Sequence, residues 1–160
     1  MKIVNFAEMN SELNRFVAEI RDIHIQQDRL RFRKNLERIG EVMSYEISKD
    51  FRYSEKLVTT PLGTARVNTA DDKIVIGTIL RAGIPYHQGF LNYFDRAENA
   101  FVSAYRKYKD KLNFEIFIEY IASPRIDGKI LILTDPMLAT GGSMAVSYTH
   151  LRAHETAANL

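Results

Sequence analysis

The chain contains no cysteine, which excludes a disulfide framework, a thiol nucleophile, a redox CxxC pair and any thiolate-ligated metal. That absence fits a reducing compartment. Long apolar runs are missing as well. The first ten residues, MKIVNFAEMN, hold no stretch that could serve as a signal peptide. Nothing elsewhere approaches the roughly 18 consecutive apolar residues of a membrane span. The expected location is cytoplasmic, with no membrane partner. Charge of one sign is scarce: 22 basic residues face 20 acidic ones, a net of +2, too little to hold the chain to nucleic acid by net charge alone. Eight glycines and four prolines give no low-complexity composition, and no repeat recurs at a solenoid period. What is present is ordinary: 160 residues, 46% hydrophobic and 26% charged, enough for one globular domain that buries roughly 70% of its unfolded surface.

Apolar residues at Leu13, Phe16, Val17 and Ile20, and again at Phe32, Leu36, Ile39, Met43 and Ile47, recur near a 3.6-residue period and predict two amphipathic helices. Residues 21–38 between and within them carry six basic and three acidic residues. A basic helix can bind RNA. Here the acidic residues interrupt the field and no aromatic pair is spaced to stack bases, which favours a solvated or subunit-facing helix. Residues 56–68 (KLVTTPLGTARVN) alternate β-formers around Pro61-Leu62-Gly63 and read as a hairpin. Residues 73–80 (KIVIGTIL) and 129–134 (KILILT) are near-continuous β-branched runs, the pattern of strands buried on both faces of a parallel sheet. Residues 100–105 and 114–121 predict two further strands, and residues 85–94, opening on a proline, predict a helix. The alternation predicts an α/β fold, a mostly parallel sheet flanked by helices, with an N-terminal helical segment and a β-hairpin.

Ligands of such sheets bind beyond the carboxyl ends of the strands. Three segments qualify: residues 135–143 (DPMLATGGS) after KILILT, Arg81-Ala82-Gly83 after KIVIGTIL, and Arg106-Lys107 after AFVSAY. In Thr140-Gly141-Gly142-Ser143 two glycines let successive backbone N–H groups approach one anion, and two hydroxyls add donors. A helix starting near Ser143 would add its positive dipole end, completing a phosphate cradle. No Walker Lys-Ser/Thr pair and no GxGxxG signature is present, and the alternative reading of TGGS is a plain strand-to-helix turn. Asp135, a carboxylate closing a buried apolar strand, is costly unless hydroxyls, a cation or a ligand satisfy it, and ribose hydroxyls suit its place. Arg81 offers a planar fork for a diphosphate, and Gly83 permits close backbone approach. Arg106, Lys107 and Lys109 add positive charge or, alternatively, form a solvated charge run. The ligand described has a phosphate, a ribose and a second anionic group.

These segments, in this order, resemble the uracil phosphoribosyltransferase family. Asp135-Pro136-Met137-Leu138-Ala139-Thr140-Gly141-Gly142-Ser143 resembles its acid-to-Thr-Gly-Gly hallmark, with the single Asp and inserted Pro-Met-Leu of the uracil-specific branch. Ile79-Leu80-Arg81-Ala82-Gly83 resembles its diphosphate loop, Tyr105-Arg106 its mobile-loop arginine and Tyr45-Glu46 its early helix signature. The resemblance implies transfer of phosphoribosyl from phosphoribosyl diphosphate (PRPP) to uracil, giving uridine monophosphate (UMP) and diphosphate in pyrimidine salvage. It implies that Asp135 holds the ribose hydroxyls and that Pro136, Met137, Leu138 and the cradle from Ala139 to Ser143 bind PRPP around the 5′-phosphate. Arg81, with Ala82 and Gly83, and Arg106 would hold the diphosphate, with Mg²⁺ neutralising part of its charge. Asp135, Arg81 and Arg106 are the implied catalytic residues. A homo-oligomer and a GTP effector are implied as well.

The resemblance covers residues 1–145, read as the N-terminal part of the phosphoribosyltransferase domain. Residues 146–160 (VSYTHLRAHETAANL) read as a tail foreign to the family, translated from adapter sequence. The family's uracil-binding segment is expected beyond this chain, so turnover by the chain is expected to be impaired. His150 and His154 lie four apart beside Glu155, which reads as accidental spacing rather than a metal site. His24 and His87 read as surface or core-edge histidines. Two rivals stand beside the main reading: a pyrimidine regulator of the same fold that binds RNA through the basic helix, and a phosphoribosyltransferase for another base.

Overall fold

The computed structural model describes residues 3–108, 114–137 and 140–157, with side chains described for 3–104, 117–137 and 140–153. A 3₁₀ turn (Phe6–Glu8) leads into helices α1 (Leu13–Arg21) and α2 (Arg29–Ser48) and the strands β1 (Tyr53–Thr60) and β2 (Gly63–Ala70). Then follow β3 (Ile74–Leu80), α3 (Ile84–Tyr93), β4 (Glu98–Tyr108), β5 (Phe114–Ala122), β6 (Ile130–Thr134) and α4 (Gly142–Ala157). The basic run is not one helix. Arg21 ends α1, and α2 starts at Arg29 because the Asp28 carboxylate accepts from the backbone N–H groups of Leu30 at 3.1 Å and Arg31 at 3.0 Å. Such a cap stabilises a helix by about 1 kcal/mol. Several of the run's cations are held by neighbours: Arg31 with Glu19 at 3.5 Å, Lys34 with Glu37 at 2.7 Å, Arg38 with the Asn35 amide oxygen at 3.0 Å.

β1 and β2 pair antiparallel as a two-stranded hairpin turning at Pro61-Leu62. The main sheet has the order β5-β4-β3-β6. β3 runs parallel to β4 and to β6, while β5 returns antiparallel to β4. This is the expected mostly parallel α/β sheet. Alternation along β3 divides the core in two. Ile76, with Ile132 of β6, packs against Leu13, Ile39, Tyr86 and Phe90 of α1, α2 and α3. Val75 on the opposite face packs with Ala100, Val102, Ile126 and Leu151 of α4. Both faces are therefore covered, which is why Val75 through Ile79 are all buried. Completely burying a side chain such as Phe90 contributes roughly 1.5–3 kcal/mol.

Two elements reach further than their apolar patterns suggest. β4 continues through Arg106 and Lys107, which pair with Ile116 and Glu115, so these cations lie within a strand and not in a loop after it. The antiparallel ladder with β5 carries the backbone past the level at which β3 ends. α4 crosses the boundary after Ala145 without a break and buries Ser147 and Leu151.

α3 packs directly on α2 through glycines. A Cβ built on Gly89 would stand 2.0 Å from the Glu37 carbonyl oxygen, and one on Gly40 2.5 Å from that of Tyr86. Neither neighbour is a flexible side chain, so an added methyl must push the helices apart. Gly89→Ala should lower stability by about 1–3 kcal/mol. Urea denaturation checks this, and an unchanged midpoint would contradict the backbone-to-backbone contact.

Candidate functional site

Thr78 of β3 is paired with Thr134 of β6 at the last rung of their ladder, so the two strands stop at one level and their following loops are neighbours. After β3 the chain passes through a cis peptide between Leu80 and Arg81, and Arg81 and Ala82 are exposed. The turn is tight: Gly83 N–H donates to Ile79 O at 3.3 Å, Ile84 N–H to Arg81 O at 3.3 Å, and His87 N–H to Gly83 O at 2.8 Å. Pro85 sits in the first turn of α3, where its missing N–H costs nothing. Gly83 is buried, and a Cβ there would lie 2.7 Å from both Ile79 O and Thr78 Cγ2. Its glycine is thus explained by packing inside the fold, a reason beyond the ligand approach that the sequence suggested.

After β6, Asp135 is half-buried, and one carboxylate oxygen accepts from Met137 N–H at 3.2 Å. Pro136 is half-buried and Met137 is exposed; Leu138 and Ala139 lie outside the described residues. Thr140 is exposed, and its hydroxyl oxygen accepts from Gly142 N–H at 3.4 Å. Gly141 has φ +74°, the left-handed region that favours glycine, and α4 begins at Gly142. The first N–H groups of a helix have no partner within it, so Ser143 and Met144 present backbone donors at the positive end of α4, the arrangement that binds phosphate.

The two loops line one cleft of roughly 810 Å³, with Arg81, Ala82, Ile84 and Pro85 facing Pro136 and Met137, and Arg21, Phe32 and Arg33 closing a side. Another cleft, of roughly 560 Å³, opens at the other end of β3 and β4. Three of its acids are already matched: Asp72 with Arg52 at 2.7 Å, Asp71 with Lys56 at 3.0 Å, and Glu98 with Lys129. Arg52's backbone N–H and guanidinium hold Asp72 below the usual carboxylate range. The chemistry therefore points to the end bearing Arg81 and Asp135. Arg106 has its backbone in β4, opposite Ile116, and its side chain and all of Lys109 lie outside the described residues. Tyr45 is exposed, and Glu46 pairs with Lys49 at 2.7 Å. His24 is exposed. His150 Nδ1 lies 2.8 Å from Val146 O, while the His154 and Glu155 side chains lie outside the described residues.

Residues 9–159 match the family described as uracil phosphoribosyltransferase. The chain belongs to that family. A uracil phosphoribosyltransferase from Porphyromonas gingivalis is 62% identical over 151 residues, 94% of this chain and 70% of the relative. A solved structure from Aquifex aeolicus superposes with a TM-score of 0.77 at 33% identity, covering 91% of this chain and 69% of that one. A hypoxanthine phosphoribosyltransferase from Staphylococcus aureus, at 14% identity and a TM-score of 0.53 over 77% of this chain and 58% of its own, shares the fold alone.

Beneath the two loops of this family member lies a polar cluster that sequence reading passed over. Thr78 is 0% exposed, Thr134 2% and His87 5%. Thr78 Oγ1 stands 2.6 Å from Thr134 Oγ1 and 2.6 Å from His87 Nδ1. His87 Nε2 stands 2.8 Å from Asn99 Oδ1. The available signal was a threonine inside each of two otherwise apolar strand runs. Burial pushes the His87 imidazole below its ordinary pKa, and its hydrogen bond to Asn99 partly offsets this. The folded chain then keeps His87 neutral where an unfolded chain takes up a proton, near pH 6.5. The unfolded state binds more protons below that pH, so stability falls as pH drops from about 7 toward 5. His87→Gln should flatten this slope in urea denaturation across that window; an identical slope would show that His87 does not contribute.

Proposed function

We propose that this chain acts, in the cytoplasm and in pyrimidine salvage, as a uracil phosphoribosyltransferase: PRPP and uracil give UMP and diphosphate. Supporting this reading is the shared level of the β3 and β6 strand ends, from which the Arg81 loop and the loop that opens with Asp135 both depart, with Arg81 and Ala82 lining one cleft with Pro136 and Met137. Arg81 holds the diphosphate, Asp135 the ribose hydroxyls through the oxygen that Met137 does not engage, and the segment 140–143 the 5′-phosphate. Arg106 adds charge on the diphosphate. The bond from ribose C1 to diphosphate breaks with its electron pair leaving on diphosphate, a uracil ring nitrogen bonds to C1, and that nitrogen's proton departs. Positive character builds on the sugar and negative charge on the leaving group, so placed cations and positioning supply most of the catalysis. This mechanism requires no side-chain nucleophile.

The donor set suits Mg²⁺ carried by the substrate. Among the described residues no group of three carboxylates or imidazoles gathers, and Mg²⁺ is characteristically held largely through substrate phosphates, so the ion would come in on PRPP. When bound, the ion neutralises part of the diphosphate charge. Arg81→Ala should weaken PRPP binding by roughly tenfold or more, the scale of a lost charge-assisted contact. Isothermal titration measures it, and unchanged affinity would remove Arg81 from the diphosphate role. Offered uracil, hypoxanthine and guanine with PRPP, the protein should form UMP alone and at low turnover; a purine nucleotide among the products would contradict the choice of uracil.

The same proposal makes the protein a homo-oligomer. The hairpin β1–β2 stands apart from the main sheet and exposes Leu57 (69%) and Leu62 (100%), and an isolated two-stranded hairpin is only marginally stable in water. A second copy covering it supplies the missing packing. Leu57→Glu should reduce the mass seen by light scattering toward the 18.4 kDa chain. An unchanged oligomer, or a parent already monomeric, would place the contact elsewhere or remove it.

A further inference from the structure

The buried cluster under the two loops has only one arrangement of protons when His87 is neutral. The Asn99 amide oxygen can only accept, so His87 Nε2 carries the proton and Nδ1 is an acceptor. Thr78 must donate to Nδ1, and its oxygen can then only accept from the Thr134 hydroxyl. Thr134 lies 3.1 Å from Gly77 O as well, which shares its single proton. The chain of donors runs one way, from Thr134 through Thr78 and His87 to Asn99.

Three of its members are tied to the two loops. Thr134 directly precedes Asp135. Thr78 stands three residues before Arg81 and packs on Gly83, and His87 closes the same turn by donating its backbone N–H to Gly83 O at 2.8 Å. The Thr78–Thr134 side-chain bond lies at the final backbone rung between β3 and β6, so it adds a cross-link where the ladder stops and the loops begin. A purely apolar core has no use for three buried polar side chains, since each is costly unless paired. We propose that Thr134, Thr78 and His87 are positioning residues that set the separation between the Arg81 loop and the Asp135 loop, so that one PRPP molecule engages both. This rests on the PRPP reading above.

The test uses Thr134→Val, which keeps the shape and removes the hydroxyl, with Thr134→Ser as the conservative rescue. Titrations with PRPP, which spans both loops, are compared with titrations of ribose 5-phosphate, which reaches only the β6 loop and the cradle. PRPP affinity should fall about five- to tenfold, the scale of a lost buried hydrogen bond and its unpaired neighbour, while ribose 5-phosphate affinity stays unchanged and Thr134→Ser restores PRPP binding. Equal losses for both ligands, or no loss for PRPP, would overturn the proposal. A parent chain that binds neither ligand would instead defeat the PRPP reading, and the proposal with it. Independently of any ligand and of the variant's folding, long-range ¹H–¹⁵N spectra of the parent above pH 7 should show His87 as the Nε2–H tautomer. The Nδ1–H tautomer would overturn the donor chain.

Discussion

The parallel registration of β6 on β3 is the constraint from which the site follows. Ile74 meets Ile130, and the pairing proceeds rung by rung to Thr78 and Thr134. From that last rung Asp135 is one residue away and Arg81 three. Slipping β6 by a single residue would turn its whole side-chain set to the other face, moving Ile132 out of the core that α1, α2 and α3 share and into the one around Leu151. Two different apolar cores, one on each face, therefore specify the register. The placing of Arg81 and Asp135 is inherited from hydrophobic packing far more than from contacts between their own loops.

The rest of the molecule serves this arrangement. Glycines 40 and 89 let α3 lie on α2 at backbone contact, which fixes the helix that the Arg81 turn feeds. Asp28 caps α2 and so sets where its basic first turn begins. At the far end of the sheet the acids Asp71 and Asp72 are matched by Lys56 and Arg52, while at the C-terminal strand ends Arg81 lines a cleft with Pro136 and Met137, the residues that follow the half-buried Asp135. Catalysis by positioning and charge would suit such a site, because on the proposed reading its groups stand in place as charge develops on the leaving diphosphate.

Much of this was legible in the sequence for definite reasons. Runs such as KIVIGTIL and KILILT can bury both faces only inside a covered parallel sheet, and the rule that ligands gather beyond strand carboxyl ends then picks out Arg81 and Asp135. Pro61 and Gly63 announced the hairpin turn. Other features were not legible because they depend on partners distant in sequence. Arg106 and Lys107 read as a loop, yet antiparallel pairing with β5 keeps them in a strand. Residues beyond Ala145 carry little apolar periodicity, yet the helix needs only Ser147 and Leu151 facing inward to pack. Gly83 read as room for a ligand, while its immediate reason is the methyl of Thr78. His87 read as a core-edge histidine, and nothing in its neighbours along the chain showed that it reaches Thr78 on β3 and Asn99 on β4.

On the proposed reading one ligand engages the loops after β3 and β6 together. Backbone amide shifts followed by NMR as PRPP with Mg²⁺ is added test this most directly. Residues 81–83 and the described residues of 135–143 should shift along a single saturation curve, while residues 71–73 and 95–98 around the opposite cleft stay still. Shifts confined to one loop, two loops saturating at different concentrations, or a response centred on the opposite cleft would contradict it.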